Sequence, residues 1–268
     1  MTETAGTVHH VPSTDGTRIG ITSTGSGRPI VVVHGSLNTA QDWQPLADRL
    51  APHVTTWAVD RRGRGTSGDN TEHSLKQEQD DIAAVLDLVG PEAILVAHSF
   101  GASVALDAVL GRPLAGVVLY ETGMPGEDHF PESTIGPFED AARRGELDVA
   151  FEMGLRNVMR LDDAGVEAFR SSPVWSARAV LMPTWGRELR ALNDFDPDLG
   201  RFAAITAPAL VVVGDLSPGW IVDNSRRLQR NLPNSRLVEL PGQGHEAYLT
   251  GTEQFAEVLL GFVREIDS

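Results

Sequence analysis

A mostly parallel β-sheet with helices on both faces, the α/β class, is the fold that this 268-residue sequence predicts. Three observations point there. Short β-branched runs recur along the chain, and segments of helical period lie between them. One long stretch, between Glu121 and Pro208, breaks that alternation with several helical patterns and no strong strand signal.

Taken in order, 7–11 and 17–22 read as an antiparallel edge pair joined by the turn Ser13-Thr14-Asp15-Gly16. The runs 30–33, 55–59 and 94–96 are the first buried strands, and 116–120, 209–213 and 236–240 continue the series. Several are apolar on both faces, as a sheet covered on both sides requires. Helical patterns fall at 40–50, 76–89, 100–110, 220–231 and 252–265. In the interrupting stretch they fall at 137–144, 147–160, 163–171 and 176–193. This stretch holds six of the nine Phe and four of the five Met. Some of these must form a small core of its own. The excess, with Trp175 and Trp185, is expected to line an apolar pocket over the sheet. The expected organisation is a core of 1–121 and 208–268 with a helical insertion at 122–207.

Composition narrows the function. With 41% hydrophobic and 22% charged residues, the chain has material for a sizeable core. Its 22 basic and 37 acidic residues, net −15, argue against a nucleic-acid backbone or an anionic membrane as partner. The absence of cysteine excludes disulfides, thiolate catalysis and cysteine metal sites. No basic, apolar leader opens the sequence and the apolar runs are too short to span a bilayer, so a soluble, cytoplasmic protein is expected.

The chemistry centres on VAHSFGA, residues 96–102. A nucleophilic serine on such a sheet stands at the carboxyl end of a strand, on a tight turn into a helix. The turn brings together the residues two before and two after the serine, so both must be small; here they are Ala97 and Gly101. Ser99 would then open a helix, where backbone N–H groups favour developing negative charge. One oxyanion donor would be the Phe100 N–H, and a second is expected from the loop after the first parallel strand, at His34-Gly35-Ser36.

In chain order, VVVHGS (31–36), DRRGRGTSG (60–68), VAHSFGA and PGQGHEAY (241–248) resemble the α/β-hydrolase superfamily across nearly the whole chain. The resemblance implies that 122–207 is the family's variable cap. It also implies that the N–H of Ser36 completes the oxyanion hole and that His34 is structural, under the loop. Arg61, Arg62 and Arg64 are expected to shape loop 60–68 through hydrogen bonds. His245 follows the last strand where similar enzymes carry their catalytic base. No metal-ligand spacing accompanies it, and neither a metal nor another cofactor is expected.

The acid departs from the family's common pattern. Relatives show Gly-x-x-Asp-Pro after the penultimate strand, whereas this chain reads Gly214-Asp215-Leu216-Ser217-Pro218. Two carboxylates remain as replacements. Glu121 ends the fourth parallel strand, a position where haloalkane dehalogenases of the superfamily carry their acid. Asp215 lies two residues upstream of the usual position, displaced by ~6–7 Å if the backbone stays extended. Glu121 is preferred, with Asp215 left open. The expected activity is hydrolysis of a small-molecule ester, or a related acyl compound with an apolar moiety, by Ser99, His245 and this acid. A lyase, perhydrolase or cyclase on the same fold, or a receptor that retains the triad, stays as the alternative.

Overall fold

The computed structural model describes residues 6–70, 72–124 and 130–268. Residues 1–5 and 125–129, assigned above to the core and the insertion, lie outside the described residues. The strands are β1 (Thr7–Pro12), β2 (Arg18–Gly25), β3 (Arg28–Val33), β4 (Val54–Val59), β5 (Ile94–His98), β6 (Gly116–Tyr120), β7 (Ala209–Gly214) and β8 (Ser235–Leu240). They form one eight-stranded sheet in the order β1-β2-β4-β3-β5-β6-β7-β8. The first two pairings, β1 with β2 and β2 with β4, are antiparallel. All the others are parallel.

Alternation along the central strands explains why they are apolar throughout. On β3, Val31 and Val33 face one core while Ile30 and Val32 face the other; on β5, Leu95 and Ala97 oppose Ile94 and Val96. Each fully buried aliphatic side chain contributes roughly 1.5–3 kcal/mol of transfer free energy, so a charge on either face would break the sheet.

The helices are α1 (Gln44–Leu50), α2 (Leu75–Val89), α3 (Phe100–Ala108), α4 (Glu132–Arg143), α5 (Leu147–Asn157), α6 (Asp163–Arg170), α7 (Trp175–Ala179), α8 (Met182–Asn193), α9 (Gly219–Gln229), α10 (Ala247–Thr250) and α11 (Thr252–Asp267). Residues of α2 and α3 fill the first core, residues of α1 and α11 the second. The helix expected at 40–50 begins as a 3₁₀ turn, Ala40–Trp43, because the Asp42 carboxylate accepts the Thr39 N–H at 2.7 Å.

Helices α4–α8 connect β6 to β7 and build a third cluster around Phe138, Phe151, Trp175, Met182 and Trp185. The helix expected at 176–193 is two, α7 and α8. Pro183 stands in the first turn of α8, where it donates no hydrogen bond, and its ring would collide with the carbonyl of residue 179 in a continuous helix. In contrast, α4 starts five residues before the expected 137 and carries Pro137 in its interior. The aromatic excess of this stretch is divided. Phe195 and Phe202 pack into the core under the sheet, and Phe138 and Phe151 stay with the insertion. No helix among the described residues is long and apolar enough to cross a membrane.

Candidate active site

Parallel strands end on one edge, and the functional candidates collect there. His98 at the end of β5 pairs with Tyr120 at the end of β6, so Ser99 and Glu121 leave the sheet side by side. The Ser99 N–H donates to the Tyr120 carbonyl and the Glu121 N–H to the Val212 carbonyl, each at 3.0 Å.

Ser99 has φ 53° and ψ −126°, a conformation that costs a non-glycine residue about 1–3 kcal/mol. Its neighbours permit this strain. A methyl on Gly101 would lie 2.3 Å from the His34 carbonyl oxygen, so the position two after the serine must be glycine. Ala97 is fully buried. The strained turn aims the hydroxyl at His245, whose Nε2 is 3.1 Å from Ser99 Oγ.

On its other side, His245 Nδ1 is 2.6 Å from Glu121 Oε2. The Glu121 carboxylate has no solvent exposure, and its second oxygen accepts the Gly214 N–H at 2.7 Å and the Ser217 hydroxyl. The serine at the family's usual acid position therefore supports the carboxylate that reaches the imidazole. Asp215 is engaged elsewhere, accepting the Gly242 N–H at 2.7 Å. Of the two carboxylates left open by sequence, the fold brings Glu121 to His245.

One neighbour, Tyr120, had no signal in the sequence. The Tyr120 hydroxyl donates to the Gly244 carbonyl and accepts the Ala247 N–H at 3.0 Å, pinning the loop on either side of His245. Burial, reinforced by the Glu121 charge, pushes the Tyr120 phenol above its ordinary range, so it stays protonated and able to donate. His98 packs against Tyr120 and His245, with ring centroids 4.9 and 4.5 Å away. Burial, then the proximity of His245, holds its imidazole well below the usual range.

His34 lies under the loop, as expected. Its Nδ1 donates to the Gly35 carbonyl at 2.8 Å and its Nε2 accepts the Arg61 N–H at 3.3 Å, the tautomer that this network requires. Of the three arginines of loop 60–68, Arg62 pairs with Asp81 at 2.7 Å and with Asp15 at 3.0 Å. The other two reach further, to Glu188 on α8.

Ser36, Phe100, Ser99 and His245 line one cavity of about 100 Å³, whose remaining wall is mostly apolar, including Phe151, Leu155, Met159 and Trp185. Arg178 of α7 lines it too, with its charge balanced by Asp42 at 2.9 Å and Glu246 at 3.2 Å.

A strained serine opening a helix at the carboxyl edge of a parallel sheet, joined through an imidazole to a buried carboxylate, has the form of a hydrolase. The chain belongs to the alpha/beta hydrolase family, whose model matches residues 30–258, and it is an enzyme of hydrolytic type. It is 27% identical over 255 residues to the pimeloyl-[acyl-carrier protein] methyl ester esterase of Xanthomonas campestris, covering 89% of this chain and 96% of that one. Over 268 residues it is also 27% identical to the 2-(acetamidomethylene)succinate hydrolase of Mesorhizobium japonicum, covering 89% of each. Among solved structures, an alpha/beta hydrolase from Sphaerobacter thermophilus superposes with a TM-score of 0.85 at 32% identity, over 95% of this chain and all of that one. An esterase from Thermogutta terrifontis, 20% identical, superposes with a TM-score of 0.77 over 98% of this chain and all of that one, which bears on fold alone.

Proposed function

We propose that this chain is a serine esterase in which Ser99 is the nucleophile, His245 the general base and Glu121 the triad acid. The observation that carries the reading is the unbroken relay from Ser99 Oγ through both nitrogens of His245 to the buried Glu121 carboxylate. Glu121 accepts a hydrogen bond from the Nδ1–H, which fixes the tautomer whose Nε2 is free to accept from the serine. Ser99 Oγ attacks the ester carbonyl as its proton passes to Nε2, and Glu121 stabilises the imidazolium. The N–H groups of Ser36 and Phe100 receive the oxyanion of the tetrahedral intermediate. Collapse expels the alcohol, protonated by His245. Water, deprotonated by the same imidazole, then attacks the acyl-enzyme, and His245 returns that proton to Ser99 Oγ as the carboxylic acid leaves.

In this reading residues 122–207 act as a cap over the core of 1–121 and 208–268. A hydrophobic cluster built mostly from this stretch, with Leu37 of the core, supports the division. The apolar walls that α5 and α8 give the cavity suit the acyl part of the substrate. A cavity of about 100 Å³ points to a compact acyl group. The curated relative named for a methyl ester favours an ester over other acyl compounds. The test is labelling with a fluorophosphonate together with turnover of p-nitrophenyl esters from acetate to dodecanoate. Label on Ser99, multiple turnover and a preference for short to medium chains are expected. Label on another serine, or full turnover by Ser99→Ala, overturns the reading.

A further inference from the structure

The Arg61 guanidinium, almost wholly buried, reaches well beyond its own loop. Its Nε and Nη2 donate to the Glu78 carboxylate at 2.7 Å each, and Nη2 also donates to Glu188 at 2.8 Å. Its Nη1 donates to the Gly35 carbonyl at 3.1 Å, the same oxygen that accepts from His34 Nδ1. That carbonyl and the Ser36 N–H belong to one peptide unit, and no described peptide bond is cis. In a trans peptide the two groups point in opposite directions. Donors that hold the carbonyl on the inner side of the loop therefore turn the Ser36 N–H to the other side, where Ser36 and Ser99 share a cavity. The peptide lies against the nucleophile: a methyl on Gly35 would be 2.8 Å from Ser99 Cβ.

Two further contacts point the same way. The guanidinium carbon lies 4.4 Å from the centroid of the Phe100 ring, on the residue whose N–H is the other oxyanion donor. Leu37, next in the loop, has a strained φ of 55° and its carbonyl accepts from Arg178 at 3.0 Å, so this loop needs external pins on both sides of Ser36. Glu188 extends the arrangement to the insertion. Its carboxylate binds Arg61 and Arg64.

We propose that Arg61 is a positioning residue that presents both oxyanion donors, aimed by its ion pairs with Glu78 on α2 and Glu188 on α8. It acts through the Gly35–Ser36 peptide, and the inference rests on the esterase reading above. A cation on the carbonyl also polarises the peptide, which strengthens its N–H as a donor to a developing negative charge. Holding α8 and the oxyanion loop on one guanidinium couples the insertion to the reacting centre.

The test uses the full-length chain with Arg61→Lys and Arg61→Gln, p-nitrophenyl butyrate as substrate, and active-site titration to count competent molecules. A trifluoromethyl ketone, whose adduct with serine places an oxyanion in the hole, reports transition-state binding. In Arg61→Gln, kcat per titrated site should fall by about 10²–10³ while KM changes by less than about threefold. Ketone affinity should fall in parallel, and Arg61→Lys should recover part of both losses. A merely structural role would lower the melting temperature and the titrated fraction but not kcat per site. If neither Arg61 variant folds, Glu188→Gln, which keeps the Arg61–Glu78 pair, should lose about tenfold in kcat with KM held. A wild-type kcat per site in any folded variant, or a loss confined to KM, overturns the inference. Ser99→Ala runs beside them. If it turns over like wild type, the esterase reading fails and takes this inference with it; if it is inactive while Arg61→Gln is fully active, only the role of Arg61 falls.

Discussion

Replacing Glu121 by glutamine probes the relay at its deepest point. The side chain is fully buried and receives three groups: His245 Nδ1 at 2.6 Å, the Gly214 N–H at 2.7 Å and the Ser217 hydroxyl. Glutamine has the same shape. Its carbonyl oxygen satisfies Gly214 and Ser217, which leaves its NH₂ facing the imidazole. Nδ1 must then accept, so the ring proton moves to Nε2 and points at Ser99 Oγ, where a base is required. The charge that stabilises the imidazolium is lost as well. In a serine protease the equivalent change costs about 10⁴ in turnover, which corresponds to about 5.4 kcal/mol of transition-state stabilisation. The fold has little at stake, because the Gly214 N–H and the Ser217 hydroxyl keep their acceptor and the strained backbone, φ 48°, is common to both residues. Steady-state hydrolysis of p-nitrophenyl butyrate, with thermal unfolding run alongside, should show kcat lower by about four orders of magnitude and a melting temperature within a few degrees of wild type. A variant within tenfold of wild-type kcat would refute the assignment of Glu121 as the acid, decisively so if Asp215→Asn were inactive.

Ser217→Ala removes one of the donors to the Glu121 carboxylate and should lower kcat by about tenfold, whereas Asp215→Asn, which only loosens the turn at Gly242, should stay within a few-fold of wild type. Gly101→Ala drives a methyl into the His34 carbonyl and should cost about 3 kcal/mol or more, read as a fall in melting temperature of roughly 6–12 °C; an unchanged melting temperature would mean that the turn can open without penalty. His34 and His98 are buried and held well below the ordinary histidine range, His34 by burial and then by Arg61 and Arg64. The unfolded chain takes up protons that the folded chain refuses. Stability is therefore full above about pH 6.5 and declines as the pH falls, by roughly 3 kcal/mol between pH 7.5 and 5.5 for the two groups together. Urea midpoints across that range measure it, and a flat profile would contradict the prediction.

Much of this protein can be read locally. The central strands are legible because a sheet buried on both faces demands consecutive apolar, largely β-branched residues, as in β3, β5, β6 and β7. The strained turn at Ser99 is legible because its steric demand falls on residues two places away in sequence. His245 is legible from its place after the last strand. Helix ends were less so: Pro183 splits one helix while Pro137 is carried inside another, and the packing around each decides which.

The sequence alone thus determined the α/β architecture and singled out the candidate serine and histidine, since each reading depends on periodicity or on contacts within a few residues. Only the tertiary structure decided which carboxylate meets the imidazole. Glu121 and His245 are separated by 124 residues, and Ser217 reaches Glu121 across 96. Those meetings depend on the register of β6 against β7 and on the path of the loop after β8. The same holds for Arg61, which touches Gly35 across 26 residues and Glu188 across 127. Hydrogen bonds at such separations exist only after the strands have paired and the insertion has docked, so no local pattern encodes them.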